Sequence, residues 1–490
     1  MTGHHTTIRS RRPRSRWRRI AALGTVLAAL FGSSVAAALP AVAANPSYVP
    51  ISGSGSTWSF NAIDAWRKNV VQYAMTINYA QQGSTAGRNA FKSGTVDWAA
   101  SDIPYGVQDG TNYDPPPDTR PFVYMPDTAG GTTFMYNLAI AGHRVTNLRL
   151  SGSTIAGIFT GTITNWSDQA IKQDNPGLTL PAIQIVPVVR SDGSGATAQF
   201  TQWLVATQGP LWNAYCAKVQ RNPCTQTSAY PVSPGMVGQS GDLGVSGYVA
   251  QTGAAGAIGY VEYSYALNAG FPVAKVLNKA GYYTEPTPGH VAVSLLDAQI
   301  NMNPDPKVYL TQNLSGVYTD PDARTYPLSS YSYMILPTTS VDKFNAVKGL
   351  TLGDFGKYLL CQGQNQVDQL GYSALPINLV QAGFSQLRKI PGANISNINI
   401  QSCNNPTFST NGTNTLAVND PLPAACDKAG PTQCTAGTGG AHGTSTPVNP
   451  GAGGSGGAGA GGAGAGAGAG TGAGAGAGAT SAGAAASQAN

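Results

Sequence analysis

Ile183-Gln184-Ile185-Val186-Pro187-Val188-Val189 runs into Arg190-Ser191-Asp192-Gly193-Ser194-Gly195, and that turn runs into Ala196-Thr197-Ala198-Gln199-Phe200-Thr201-Gln202-Trp203-Leu204. The first segment is a short apolar run, the pattern of a buried strand. In the third, Phe200, Trp203 and Leu204 fall at i, i+3 and i+4, one face of a helix. A strand therefore ends, a Gly-Ser turn follows, and a helix begins. The first amides of a helix have no partner inside it, and the helix dipole adds partial positive charge there. Glycines let backbone approach a ligand closely. Arg190, at the mouth of the turn, supplies planar donors for an oxyanion. The combination is suited to holding an anion.

Two other stretches repeat the pattern. Ile51-Ser52-Gly53-Ser54-Gly55-Ser56-Thr57-Trp58 precedes a segment in which Trp58, Ala62, Ala65 and Trp66 share a helix face. Ile77-Asn78-Tyr79 leads through Gln82-Gly83-Ser84-Thr85-Ala86-Gly87 into Asn89-Ala90-Phe91. A single Gly-Ser turn is usually a loop or a helix cap. Three, each between a strand-like and a helix-like segment, are much less readily taken for ordinary loops or caps.

Composition bounds the rest. Seven arginines between Arg9 and Arg19 precede an apolar run from Ile20 to about Ala38, and Ala41-Val42-Ala43 is a small-residue cleavage site. Residues 1–43 therefore read as an export signal. Gly32, Ser33, Ser34 and Pro40 interrupt the run, which disfavours a membrane anchor. Arg11-Arg12 hints at the twin-arginine route, although its flanks fit poorly, and no cysteine near the cleavage point offers a lipid attachment site. The chain's formal charge of +6 comes from 28 Lys+Arg and 22 Asp+Glu. The signal carries seven of the basic residues and no acid, so the remaining chain is close to −1. The basic balance belongs to the signal, and nucleic-acid binding gains no support. From Thr435 to Asn490 the chain is Gly/Ala-rich low complexity, expected to be disordered and dispensable beyond Cys434. About 390 residues remain, enough for two α/β domains.

Six cysteines in an exported chain favour disulfides. Proximity in sequence suggests Cys216–Cys224, Cys361–Cys403 and Cys426–Cys434 among 15 possible pairings. A zinc site is the alternative, but no CxxC occurs, and within the expected folded part only His143 and His290 are histidines. No metal or other cofactor is expected.

The three turns resemble the periplasmic phosphate-binding proteins of ABC transporters, the PstS type. The resemblance is carried by Gly53–Trp58, by Asn78–Gly87, by Gly94-Thr95-Val96-Asp97-Trp98-Ala99-Ala100-Ser101-Asp102 and by Arg190–Thr197. Ala257-Ile258-Gly259-Tyr260-Val261-Glu262-Tyr263 and Tyr326-Pro327-Leu328-Ser329-Ser330-Tyr331 support it. Together these stretches span roughly residues 48–405. The resemblance implies an α/β, two-lobed type II periplasmic-binding-protein-like fold with two crossovers, near Pro121–Tyr136 and Tyr326–Tyr333. Lobe one would be residues 48–130 and 328–405, lobe two 131–327, and 406–434 a disulfide-containing C-terminal extension. Ligands in such sheets sit at the carboxyl ends of strands.

By the same resemblance, Thr57 offers hydroxyl and amide to phosphate, Trp58 its amide, and Ser84 donates from a helix start. Asp102 accepts a proton from the ligand, Arg190 donates NH groups, and Ser194, Gly195 and Ala196 cap the ligand. Asp192 orients Arg190. Two departures matter. The family usually places Thr where this chain has Ala196, so one hydroxyl donor is lost. Thr197 is turned away by about 100° along the helix. The turn at Thr85-Ala86 is also less glycine-rich than usual.

The implied function is capture of inorganic phosphate for an ABC importer, by a monomer working with permease subunits in the membrane. Each residue also has a blander role. Arg190 and Asp192 could be a surface ion pair, Asp102 and Ser84 could be caps, Asp97 could be structural, and Trp58 and Trp66 could be core. Other functions compete too. A secreted phosphatase would need a metal cluster or a Gly-x-Ser-x-Gly elbow beside a histidine, and neither is present, Gly53-Ser54-Gly55 being incomplete. A wall-associated protein that keeps the fold without a transport role is the remaining alternative.

Overall fold

The computed structural model describes residues 47–109, 112–395, 399–403, 405–409 and 411–449. The export segment and the chain from residue 450 onward lie outside the described residues. Eight strands form one curled sheet: β1 (Ile51–Gly55), β2 (Ile77–Gln81), β3 (Trp98–Ser101), β4 (Phe122–Tyr136), β5 (Val186–Arg190), β6 (Val237–Gln239), β7 (Ala257–Glu262) and β8 (Ser329–Pro337). Their order is β6-β5-β7-β4-β8-β3-β1-β2.

One half of the sheet is built on β1, which pairs in parallel with β2 and β3. The other half is built on β5, parallel to β6 and β7. The two long strands join them. β4 and β8 pair antiparallel from Phe122↔Pro337 to Gly131↔Ser329. β8 then pairs with β3, while Thr132–Tyr136 of β4 pairs with β7. β4 is thus shared by both half-sheets, and every one of its residues is buried, as expected of a strand covered on both faces. The two crossovers fall where the resemblance placed them, and the mixed α/β fold is the expected one.

Helices follow the parallel strands: Ser84–Lys92 after β2, Gly195–Thr207 after β5 and Gly241–Val249 after β6. Phe200, Trp203 and Leu204 are buried as their spacing predicts. Phe200 sits 5.0 Å from the Tyr260 ring and 5.2 Å from Phe159, ring centre to ring centre. Truncating such a side chain to alanine costs about 3–5 kcal/mol, so the N-terminal end of this helix is held by its buried face. The helix predicted after the first turn spans Phe60–Asn69 and buries Ala62, Ile63 and Trp66. Trp58 precedes it rather than belonging to its face, and Ala65 is only half-buried. Trp58 is nevertheless core, with its Nε1 donating to Thr132 Oγ1 at 3.1 Å.

The structure pairs Cys216 with Cys224, Cys361 with Cys403 and Cys426 with Cys434. The chain does not stop packing at Cys434, where the low-complexity tail was expected to begin. Thr438 is fully buried, accepting from Val273 N and donating to Thr146 O, each at 3.1 Å. Thr446 Oγ1 accepts from Thr146 N at 2.8 Å, and Asn449 N donates to Gly177 O at 2.9 Å. Residues 435–449 are a strap on the molecule, and it brings a third histidine, His442, to 3.2 Å from the Tyr263 hydroxyl. Composition missed the strap because small residues bury little area each; it is held by backbone and threonine hydrogen bonds.

Candidate functional site

The turns after β1, β2, β3, β5 and β6 meet at the carboxyl ends of both half-sheets. Their side chains form a closed circuit of contacts. Asp102 takes a hydrogen bond from Ser56 Oγ at 2.6 Å on one carboxylate oxygen and from Ser84 Oγ at 3.0 Å on the other. Beside Ser56, Thr57 Oγ1 donates to Asp242. Asp242 also receives Arg190 Nη1 at 2.6 Å. The other two guanidinium nitrogens of Arg190 go to Asp192, Nε at 2.7 Å and Nη2 at 2.5 Å. Asp192 lies against Gly83, the residue before Ser84, and the circuit closes.

Two glycines permit this closeness. Gly83 has φ +92°, and a Cβ there would stand 2.5 Å from Asp192 Oδ2. A Cβ on Gly195 would stand 2.5 Å from Asp102 Oδ2 and 2.6 Å from Ser84 Oγ. The start of the helix Gly195–Thr207 is therefore pressed against the carboxylate that heads the opposite half-sheet, and only a residue without a side chain fits between them. Gln199 Nε2, one turn along, donates to Asp102 O at 2.8 Å, and Thr85 N donates to Gly193 O at 3.0 Å.

The backbone donors around this circuit are free. The amides of Thr57, Trp58, Ser84, Gly195 and Ala196 have no protein acceptor among the described residues. Thr57 and Trp58 belong to the turn after β1, and the other three are the first amides of helices, where no intrahelical partner exists. An oxyanion seated among them would meet several N–H groups at once.

The site is rich in acid. Burial pushes the Asp102 carboxyl up to about 6; the hydroxyls of Ser56 and Ser84 oppose this, and the Asp242 charge adds to it. Burial also works on Arg190, but Asp242 and Asp192 outweigh it and hold the guanidinium charge firmly. Burial would raise Asp192 as well; the Arg190 hydrogen bond and charge override it and keep Asp192 below the usual carboxylate range. Glu262, at the end of β7, lies well above its ordinary value through burial, with its Ser264 hydrogen bonds opposing. Asp192 and Asp242 are paired with Arg190, while Asp102 has only hydroxyl donors and, when ionised, could accept a further hydrogen bond from a ligand that carries a proton.

All the expected residues lie on or beside the circuit, with three refinements. The Trp58 ring is core, and only its amide faces the turn. Ser194 is committed as a helix cap, its Oγ accepting from Thr197 N at 3.1 Å. Thr197 is buried with its hydroxyl 2.7 Å from the Tyr260 hydroxyl, so it does not replace the donor missing at Ala196. Asp97 is structural, bonded by Ser52 N at 2.8 Å and Lys348 Nζ at 2.7 Å. Sequence reasoning passed over Ser56 and Asp242. A signal for Asp242 existed: Gln239-Ser240-Gly241-Asp242 is a fourth strand–turn–helix junction, less glycine-rich than the others. Among the described residues no group of His, Cys, Asp and Glu is arranged to hold a metal ion.

Known proteins share this architecture. The family described as a PBP superfamily domain matches residues 40–362. The phosphate-binding protein PstS of Xylella fastidiosa (strain Temecula1 / ATCC 700964) is 32% identical over 334 residues, 68% of this chain and 83% of that protein. The phosphate-binding protein PstS of Methanocaldococcus jannaschii is 28% identical over 356 residues, covering 70% and 87%. Among solved structures, the periplasmic phosphate-binding protein PfluDING bound with phosphate overlays with a TM-score of 0.53 at 19% identity, covering 71% of this chain and 98% of that one. A phosphate-binding protein from Stenotrophomonas maltophilia overlays with a TM-score of 0.51 at 19% identity, covering 75% and 99%. Strand order, the circuit of turns and these similarities agree: the chain belongs to the PBP superfamily, within its family of PstS-type phosphate-binding proteins.

Proposed function

We propose that the chain is an extracytoplasmic solute-binding protein that captures inorganic phosphate and delivers it to the permease of an ABC importer. The observation that carries this reading is the placement of Asp102, a buried acceptor pressed against the amide-rich start of the helix Gly195–Thr207. In this reading the amides of Thr57, Trp58, Ser84, Gly195 and Ala196, with the Ser194 hydroxyl and Arg190, donate to the phosphate oxygens, and the Thr57 and Ser84 hydroxyls, each with one proton and here donating to Asp242 and Asp102, turn to the ligand when it binds. Asp102 accepts the ligand's proton, and Asp192 orients Arg190. Lobe one is then residues 48–130 with 328–405, lobe two is 131–327, and β4 and β8 are the hinge. The protein acts as an exported monomer without a cofactor or a catalytic role. No helix among the described residues is long and apolar enough to cross a membrane.

The test separates two tetrahedral ions. An ionised carboxylate only accepts hydrogen bonds. Phosphate at neutral pH carries a proton to offer it, whereas sulfate would press bare oxygens against it. A site built around a ligand hydroxyl rejects the analogue lacking it by about 10⁴-fold or more. Calorimetry on the mature protein should show phosphate binding and no response to millimolar sulfate, with much of that discrimination lost in Asp102→Asn. Comparable wild-type affinity for sulfate would remove Asp102 from this role, and the absence of phosphate binding would remove the proposal. Incubation with a phosphomonoester should release no phosphate.

A further inference from the structure

On the face formed by the start of β1's segment and the helix Ala346–Leu360, away from the anion circuit, lies a cleft of about 510 Å³ that shares no residue with it. Three tyrosines, Tyr48, Tyr73 and Tyr358, line it. Two of them are pinned at their hydroxyls. Tyr48 donates to Asp354 Oδ2 at 2.9 Å, and Tyr73 donates to Gln362 Oε1 at 3.2 Å. Tyr358 is buried, and its hydroxyl accepts from Gln366 Nε2 at 3.3 Å. The Tyr73 and Tyr358 rings stand 6.2 Å apart at 56° to each other, and Tyr73 is 44% exposed. A tyrosine held by its hydroxyl has little rotamer freedom left to lose, so its ring is a ready platform.

The remaining lining is polar and balanced in charge. Lys357 and Asn365 have no side-chain partner among the described residues. With Asp354 and the Gln362 amide they offer both donors and acceptors along the cleft edge. One acid and one base cancel, so the cleft selects for neither anions nor cations. The disulfide Cys361–Cys403 ties down its floor. The volume lies within the ordinary range of small-ligand sites, and aromatic walls with a few placed polar groups are their usual lining.

A ligand that fits must be uncharged, present a flat weakly polar face to aromatic rings, and carry hydroxyls at its rim. Sugar rings have that form: axial C–H groups make an apolar face that the electron-rich face of a tyrosine attracts, and the rim is a ring of donor–acceptor hydroxyls. We propose that this cleft is a carbohydrate-binding site for one or two rings of a neutral oligosaccharide. It is independent of phosphate capture, and it would tether a protein exported across the membrane to glycan at the cell surface.

The experiment uses the mature protein. Glucose-, mannose-, galactose- and N-acetylglucosamine-containing trisaccharides are titrated while chemical shifts are followed by NMR. At least one should give saturable binding, with a dissociation constant on the order of 1 mM, the strength a few stacked rings provide. Tyr73→Ala should weaken that binding at least about tenfold, since the exposed ring is lost. Tyr73→Phe, which keeps the ring but loses its hold on Gln362, should weaken binding by less than Tyr73→Ala does, and Lys357→Met should likewise weaken it by a smaller factor. All three variants should bind phosphate as wild type does, which shows that they are folded and that the two sites are separate. No saturable binding to any of the four sugars overturns the proposal. So does sugar binding that Tyr73→Ala leaves intact.

Discussion

Asp102 carries opposing demands. In its proposed role of accepting the ligand's proton it must be ionised, yet it is buried with no cation of its own, and its carboxyl is pushed up to about 6. A carboxyl raised in the folded state above its ordinary value of 3.8 favours folding fully below that value, and the advantage is lost as pH rises through about 6. At pH 8 the phosphate-free protein therefore bears the cost of a buried charge, of the order of 2–3 kcal/mol. Asp102→Asn cannot ionise. Relative to wild type it should gain stability by that order between pH 4 and pH 8, measured by denaturant unfolding without phosphate; equal curves at both pH values would refute the account. Ala196 makes the second residue-scale prediction. Thr197 is tied to Tyr260 and supplies no replacement hydroxyl, so Ala196→Thr should tighten phosphate binding by up to about 1.5–3 kcal/mol. Unchanged or weaker binding in calorimetry would show that the site is not short of a donor. These residues were legible only through the resemblance of the stretches that carry them to the PstS type. Asp242 was not, because its partners Thr57 and Arg190 are 185 and 52 residues away.

The strap is where local composition and packing disagree most at the scale of elements. Truncation after Cys434 removes Thr438, Ala441 and Thr446, all buried. It also leaves the Val273 and Thr146 backbone groups without their partners. Each buried backbone group left unpaired costs about 1–3 kcal/mol. Removal after Cys434 should lower the melting temperature by several degrees, while removal after Asn449 should leave it unchanged. An equal loss from both truncations, or from neither, would contradict this assignment. The Gly/Ala pattern hides the strap because its residues have no periodic apolar face to read. The helix Gly195–Thr207 is the opposite case: its buried face is written at i, i+3 and i+4, and it forms where expected.

Over the whole molecule, β4 and β8 connect the half-sheets that hold the two sides of the site. Contacts cross it from one half-sheet to the other: Thr57 to Asp242, Thr85 to Gly193 and Gln199 to Asp102. Phosphate seated among them would bind the folded state alone and stabilise it by mass action, by about 2.7 kcal/mol at a hundredfold excess over its dissociation constant. Phosphate should therefore raise the melting temperature in proportion to the logarithm of its concentration, and sulfate at the same ionic strength should not. An equal rise with both salts would indicate a general ion effect.

The sequence by itself determined the strand–turn–helix junctions and the anion-seeking character of their glycine and serine turns, because backbone preference and side-chain period act over a few positions; Thr57, Ser84, Asp102 and Arg190 were singled out as ligand residues by the resemblance of those stretches to the PstS type. It also carried the cysteine pairs, two of which close loops between residues only eight apart. Tertiary structure alone decided that Asp242 shares Arg190, that Thr197 turns to Tyr260, that residues 435–449 pack, and that Tyr48, Tyr73 and Tyr358 meet in one cleft. Each of these depends on the register and crossing of strands far apart in the chain, which no local pattern encodes.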